Sequence, residues 1–344
     1  MAIAKTALVE TIDRAANGRG TVGLAVIGGP GEAPEAVWVP ASASEVPAFL
    51  TYSITKTFTA ALMLGLCDEG RVSLDDRLAR WFPRVAGAER ISLRQLLNHT
   101  AGVPDSGGLA QYHEAVRASP SSPWSFERFA AETFDKGLSF EPGSSWAYSN
   151  PGYMLLKRIA EDVAGASYTT MIRERIAEPL GLHRTFVPES PGDLSGLAPA
   201  RSRALAPDGS LREVRGRYHP GWVGHGVVAS TPSDVVRFFD ALFCGAVLSR
   251  RSRHAMTSLV PIGLSPPPPS RWRTPSYGLG IMGDPDSAFG RLWGHNGGGP
   301  GYTTSAVHAP DQRGASVCAM CAFEGDAEAE RIVFTVLDLL HRAP

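Results

Sequence analysis

Short apolar runs broken by Gly and Pro occupy both ends of the chain, whereas helically spaced apolar positions dominate its middle. Residues 3 to 17 have a helical pattern, and Thr21 to Gly29, Ala36 to Pro40 and Ala48 to Tyr52 then read as a strand meander. Thr303 to Ala309 and Ala315 to Phe323 flank Pro310, Asp311, Gln312, Arg313 and Gly314, whose turn chemistry predicts an antiparallel pair. Ala327 to Arg342 has the spacing of a closing helix. Between the ends, Ile91 to His99, Trp124 to Phe134, Pro151 to Val163 and Pro232 to Phe243 are expected helices, several with Ser, Thr or Pro near their starts. Four consecutive prolines, Pro266 to Pro269, fit neither helix nor sheet interior and predict a stiff extended loop.

Strands at both ends around a helical middle predict an α+β fold. One antiparallel sheet is built from N- and C-terminal segments and flanked by helices, and a mostly helical second lobe packs beside it. The lobes are expected at about residues 1–75 with 270–344, and about 76–269, within a single domain spanning the whole chain. A cleft between them is the expected site of chemistry.

Composition narrows the function classes. The chain has 344 residues, 33 basic and 34 acidic, for a formal net charge of −1. That balance provides no field to gather nucleic acid or an anionic membrane, so neither is an expected partner. A hydrophobic share of 43% with 19% charged residues suits a globular protein that needs neither disulfides nor metal to hold a core. Glu10 and Asp13 fall where an export signal needs an uninterrupted apolar stretch, so a cytoplasmic location is expected. Cys318 and Cys321 lie three apart in a strand-like segment and point to opposite faces, which favours reduced structural thiols over a redox pair.

The segment Phe58 to Cys67 is apolar around nearly its whole circumference and stops before Gly70, so the helix it forms is buried. Ser53 and Lys56 stand just before it, three residues apart and on one helical face. A serine hydroxyl is a weak nucleophile until a base takes its proton, and a desolvated lysine amine can be that base. Free N–H groups at the same helix start would stabilise alkoxide and oxyanion alike. Only four lysines, Lys5, Lys56, Lys136 and Lys157, occur among the 33 basic residues, which gives one beside a serine added weight. Ser-x-x-Lys alone is nonetheless a weak motif and needs companions.

Two candidates follow along the chain. Tyr148 and Asn150, ahead of Pro151, project to one side of an extended segment, so that a phenol can relay a proton and an amide can orient a carbonyl and the lysine. Gly294, His295, Asn296, Gly297, Gly298 and Gly299 form a glycine-rich strand that a substrate could approach closely, and the Gly298 amide could pair with that of Ser53 in an oxyanion hole. A phosphate-cradling loop fits these glycines poorly, because no Lys-Ser/Thr pair follows them. His99 reads as a buried structural histidine, and His225 stays open between cleft wall and structural turn. The remaining histidines lack ligand spacing, so no metal and no cofactor is expected. Trp222, Trp272 and Trp293 read as packing residues that could also line an acyl pocket.

Ser53-Ile-Thr-Lys56, Tyr148-Ser-Asn150 and His295-Asn-Gly297, in that order and at long intervals, resemble the three signature elements of the serine β-lactamase and penicillin-binding-protein superfamily. Leu96 to Gly102, Phe140 to Gly143 and Gly224 to Asp234 look like segments of its class C branch, which includes class C β-lactamases, D-amino-acid peptidases, family VIII carboxylesterases and transesterases. The resemblance covers roughly Thr21 to Phe323 and implies a β-lactamase/transpeptidase-like fold and an acyl-enzyme mechanism. It implies attack by Ser53, proton handling by Lys56 and Tyr148, and an oxyanion held by the Ser53 and Gly298 amides. Substrate contacts would come from Asn150, His295 and Gly297.

This chain departs from the pattern at two positions. His295 stands where penicillin-recognising members carry lysine, and His225 replaces a small residue before Gly226. A partly charged histidine pulls less on a substrate carboxylate, which favours esters or uncharged amides. The expected activity is that of a serine acyl hydrolase or acyltransferase on a small ester or activated amide. A D-amino-acid peptidase or β-lactamase is the enzymatic alternative, and a non-catalytic binding protein the non-enzymatic one.

Overall fold

A computed structural model describes residues 3–41, 46–263, 271–325 and 327–342. The Pro266 to Pro269 loop lies outside the described residues. Along the chain, helix α1 (Lys5–Ala16) leads into strands β1 (Val22–Ile27), β2 (Glu35–Val39) and β3 (Phe49–Leu50). A single 3-10 turn, Tyr52–Ile54, runs into α2 (Thr55–Asp68). The helical stretch holds α3 (Leu93–Leu97), α4 (Ala110–Ala118), α5 (Phe126–Glu132), α6 (Asn150–Ala164) and α7 (Tyr168–Ile172). A small pair, β4 (Arg201–Ser202) with β5 (Arg212–Glu213), precedes β6 (Ala229–Ser230), α8 (Pro232–Cys244) and α9 (Arg250–Met256). The chain closes with β7 (Val260–Pro261), β8 (Ser276–Tyr277), β9 (Met282–Ser287), β10 (Gly290–Gly299), β11 (Tyr302–Ala309), β12 (Ala315–Cys321) and α10 (Glu328–Arg342).

The large sheet has the order β2-β1-β12-β11-β10-β9-β8-β7, with every named pair antiparallel. Joining first and last strands at β1–β12 is what the two-ended apolar pattern predicts. Both central strands are buried along their whole length. Their alternate residues serve two cores: Leu24, Val26, Val317, Ala319 and Cys321 face α1 and α10, while Ala25, Ile27, Cys318 and Met320 face the rest of the protein. Cys318 and Cys321 accordingly sit on opposite faces as free thiols.

Two expectations change. Ala48 to Tyr52 does not continue the meander: β3 pairs with β6, Phe49 opposite Ser230 and Leu50 opposite Ala229. A two-residue strand has too little pattern of its own to declare its partner. The sheet also begins at Val260, inside the stretch expected to be helical, and α8 from that stretch packs on β1, β11 and β12. Stacking of Phe58 on Phe238, with ring centroids 3.9 Å apart, joins α8 to α2. From Thr55 through Leu64 every residue of α2 is buried. Its hydroxyls are satisfied: Val228 N–H donates to Thr55 Oγ1, Thr57 Oγ1 donates to Gly280 O, and Thr59 Oγ1 pairs with Tyr168 Oη.

Candidate active site

Ser53 sits in the 3-10 turn ahead of α2, after Tyr52, whose φ of 45° lies in the left-handed region that a bulky side chain rarely adopts. Tyr52 is held there by its phenol, which donates to Pro300 O at 2.7 Å. The turn is closed from two sides. Thr51 N–H and Oγ1–H both donate to Val228 O, and Thr304 Oγ1 donates to Thr51 O.

Strand β10 packs against this turn, and glycine makes the approach possible. A Cβ on Gly297 would lie 2.2 Å from Thr51 O and 3.1 Å from Ser53 N, and one on Gly299 would meet the Tyr52 ring at 2.4 Å. Strand β9 begins with Met282 opposite Gly294, so residues 295 to 299 have β11 on one side and no strand of the sheet on the other. Gly299 and Tyr302 close the two-residue β10–β11 hairpin and form a hydrogen-bonded pair, which makes Gly298–Thr303 the alternate, non-bonded pair. The Gly298 amide therefore faces the open edge, alongside Ser53.

Lys56 is fully buried. Its Nζ lies 2.7 Å from Asn150 Oδ1, 3.0 Å from His225 Nε2 and 3.5 Å from Ser53 Oγ, with the rings of Tyr148 and Tyr153 at 4.7 and 5.5 Å. Desolvation lowers its pKa to about 7, against the opposing pull of the Asp105 carboxylate, which raises it. An uncharged amine beside the serine is therefore well populated near neutrality. Burial drives the Tyr148 phenol the other way, well above its usual value, so the phenol stays protonated. Ser53 is near enough to Tyr148 to favour its ionisation slightly, though the phenol makes no bond of hydrogen-bonding geometry.

Asn150 is not in extended chain as expected. It is the first residue of α6, whose N-cap Ser149 is extended and accepts from Gly152 N–H through its hydroxyl. Asp105 Oδ1 accepts from both the Asn150 backbone N–H and Nδ2, which turns the amide oxygen toward Lys56. Asp105 Oδ2 in turn accepts from Gly107 N–H. Sequence reasoning missed Asp105, and its only signal was a carboxylate just after the Leu96 to Gly102 segment.

Three imidazoles surround the amine, each held neutral chiefly by burial. His99 Nδ1 accepts from Ser149 N–H, and its ring packs at a tilt of 41° against Tyr148, with centroids 4.4 Å apart. His295, expected to be partly charged and to touch substrate, has its pKa lowered to about 3 by burial, with Lys56 adding to the effect. Its Nδ1–H donates to Asn296 O and its Nε2 accepts from Tyr277 Oη, so both nitrogens are engaged. The third imidazole is His225, on Lys56.

A cavity of about 460 Å³ opens over Ser53. Tyr52, Tyr112, Val116, Tyr218, Trp222 and Val223 give it an apolar, aromatic wall, and Asn150, His225, Gly298 and Glu324 supply polar groups. His295 and Gly297 are not on that wall: the first is buried against Tyr277, and the second acts through close backbone approach. Trp222 is the one indicated tryptophan that lines the cavity, whereas Trp272 packs on Phe334 and Trp293 stacks on Phe243. Among the described residues the wall carries Glu324 but no lysine or arginine. Glu324 accepts from Ser202 Oγ and from Gly301 N–H. No group of His, Cys, Asp or Glu among the described residues is placed to hold a metal, and no helix there is long and apolar enough to cross a membrane.

The chain is similar along most of its length to several known proteins. A penicillin-binding protein of Bacillus subtilis (strain 168) is 31% identical over 278 residues, 76% of this chain and 58% of that protein, so the chain spans less than two thirds of its relative. Among solved structures, a D-stereospecific amidohydrolase from Streptomyces sp. superposes with a TM-score of 0.83 at 28% identity, covering 96% of this chain and 99% of that one. The D-amino acid amidase of Ochrobactrum anthropi SV3 superposes equally well at 25% identity, covering 98% and 99%. The family model for Beta-lactamase matches residues 9–337, nearly the whole chain, and the chain belongs to the Beta-lactamase family.

Proposed function

We propose that the chain is a serine acyl hydrolase or acyltransferase that works through an acyl-enzyme on a small ester or activated amide. The observation that carries this reading is the buried Lys56 amine, with a pKa near 7, standing 3.5 Å from Ser53 Oγ. Ser53 Oγ bonds to the substrate carbonyl carbon as its proton passes to Lys56 Nζ. The Ser53 and Gly298 N–H groups receive the oxyanion, each good donor contributing roughly 3 kcal/mol. Collapse of the tetrahedral intermediate expels the alcohol or amine, which regains the proton from Lys56 by way of the Tyr148 phenol. Asn150 holds the amine and the substrate carbonyl in register. Water, or a bound alcohol or amine, then releases the acyl group.

The absence of lysine and arginine from the described cavity wall, together with a neutral His295, weighs against a substrate gripped by its carboxylate. A neutral acyl group against the aromatic wall suits the cavity. A second reading, hydrolysis of an amino-acid amide or peptide with a free amine, is favoured by Glu324 on the same wall and by the D-specific amidohydrolase and amidase likenesses. Four free cysteines, two of them in the sheet interior, suit a reducing compartment, and we propose the cytoplasm on that ground.

The test is labelling with a fluorophosphonate and burst release from p-nitrophenyl acetate in wild type, Ser53→Ala and Lys56→Arg. Wild type should label and burst. Both variants should lose the reaction, the first for want of a nucleophile and the second because arginine keeps its proton. Labelling that survives in Ser53→Ala, or near-normal acylation by Lys56→Arg, overturns the assignment. Initial rates on D- and L-amino-acid p-nitroanilides against p-nitrophenyl butyrate separate the two substrate readings.

A further inference from the structure

An uncharged amine has two N–H donors and one lone pair, so its value as a base depends on where the neighbours leave that lone pair. Lys56 Nζ has three near neighbours, and the two closest are Asn150 Oδ1 at 2.7 Å and His225 Nε2 at 3.0 Å. Asn150 presents its oxygen because its Nδ2 is committed to Asp105. The third neighbour, Ser53 Oγ at 3.5 Å, is the atom to be deprotonated.

We propose that His225 is a positioning residue of the acylation step: its Nε2 accepts one N–H of the uncharged Lys56 amine while Asn150 Oδ1 accepts the other, which leaves the lone pair to Ser53 Oγ. This rests on the acyl-enzyme reading above and adds to it a second acceptor that the sequence motifs do not contain. The imidazole carries its proton on Nδ1, an atom buried without a hydrogen-bond partner in the protein. During acylation the Ser53 proton moves to the lone pair, Lys56 becomes an ammonium with three donors for its three neighbours, and His225 neither gains nor loses a proton. The opposite tautomer would defeat the device, since an Nε2–H aimed at Lys56 would occupy the lone pair.

The β3–β6 pairing makes the contact possible. Thr51 and Thr55 fasten the start of α2 to Val228, three residues beyond His225, and that anchor carries the imidazole to the amine. Other charged or titratable groups facing the pair are accounted for. Lys56 also meets Asp105, Tyr148 and Tyr153, while His225 meets Lys157 of α6, and His99 and His295 face both.

The test compares full-length wild type, His225→Phe and His225→Gln in p-nitrophenyl acetate acylation from pH 5 to 9. Phenylalanine removes the acceptor. We expect the plateau acylation rate to fall about 100-fold, as for other small misplacements of a reacting group, with KM changed by less than about threefold. The acid limb should move to lower pH, because the ammonium loses an acceptor. Glutamine, whose side-chain oxygen reaches the Nε2 position, should restore the rate to within about tenfold and return the limb. A His225→Phe enzyme with the wild-type rate and limb overturns the proposal, as does equal loss in both variants with no movement of the limb.

Should His225→Phe fail to fold, imidazole 15N shifts of the wild type decide the matter. A neutral Nδ1–H tautomer throughout the range supports the proposal, and an Nε2–H tautomer or a titrating ring refutes it. Absence of any Ser53-dependent burst in wild type would instead remove the acyl-enzyme reading itself, so the two failures are distinct.

Discussion

Replacing Asp105 with asparagine tests the electrostatics of the site with little change of shape. In the wild type Lys56 has a pKa near 7, so its free-amine fraction, and with it acylation, should fall about tenfold per pH unit well below pH 7 and level off above about pH 8. Asp105 opposes desolvation by favouring the ammonium. Its carboxylate is one amide group and two hydrogen bonds from Nζ, through Asn150, a separation of roughly 7 Å. At an effective dielectric of about 20 that charge contributes roughly 2 kcal/mol, or between one and two pH units. Asp105→Asn should therefore shift the acid limb of kcat/KM down by at least about one unit. Buried His99, His225 and His295 are held neutral in this range and add no limb of their own. The plateau should also drop, since Asn150 loses the acceptor that fixes its amide. The measurement is the pH dependence of p-nitrophenyl acetate acylation for both proteins. A wild-type limb near pH 10, or an Asp105→Asn limb that stays put or moves upward, would falsify the account of how Lys56 is tuned.

Two further outcomes follow from the geometry. Lys56 is bound in its neutral form more readily when folded than when unfolded, so its burial costs stability fully below pH 7 and the cost fades as pH rises toward 10.5. Lys56→Met should thus be stabilising, less so the amine's lost hydrogen bonds, and by roughly 3 kcal/mol more at pH 6 than at pH 9 in urea unfolding; a pH-independent difference would refute the sign. Gly297→Ala should cost activity on the order of 100-fold and lower Tm, because its methyl would collide with Thr51 O and push Ser53 off the strand edge. A Gly297→Ala enzyme as active and as stable as wild type would show that β10 does not fix the nucleophile.

What the sequence made legible was local. Ser53 and Lys56 share one face of one helix start, and the apolar circumference of α2 announced the desolvation that tunes the amine. The glycines after His295 marked a close backbone approach, which Gly297 makes against the Ser53 turn. The hidden parts depend on distant pairings. His225 meets Lys56 across 169 residues, β3 is too short to show its own register, and Thr51 just after it reaches Val228 across 177. Strand β9 was also unreadable, because its sequence MGDPDS carries a proline and two aspartates, one of which, Asp284, is buried and satisfied by Arg273 N–H and the Thr274 hydroxyl. His295 misled for the opposite reason: its motif position suggested a charge facing substrate, and only three-dimensional packing reveals an imidazole enclosed by Tyr277.

The turn that presents Ser53 is clasped by Val228 and Thr304, the latter 253 residues further along. Such closures carry a large loop entropy and form late relative to neighbouring contacts. A nascent or partly unfolded chain thus lacks the clasp that poises its alcohol, and fragments ending before residue 304 should be chemically quiet toward esters. On this geometry, reactivity is a property of the completed fold, because both ends of the clasp must be in place before the alcohol is poised.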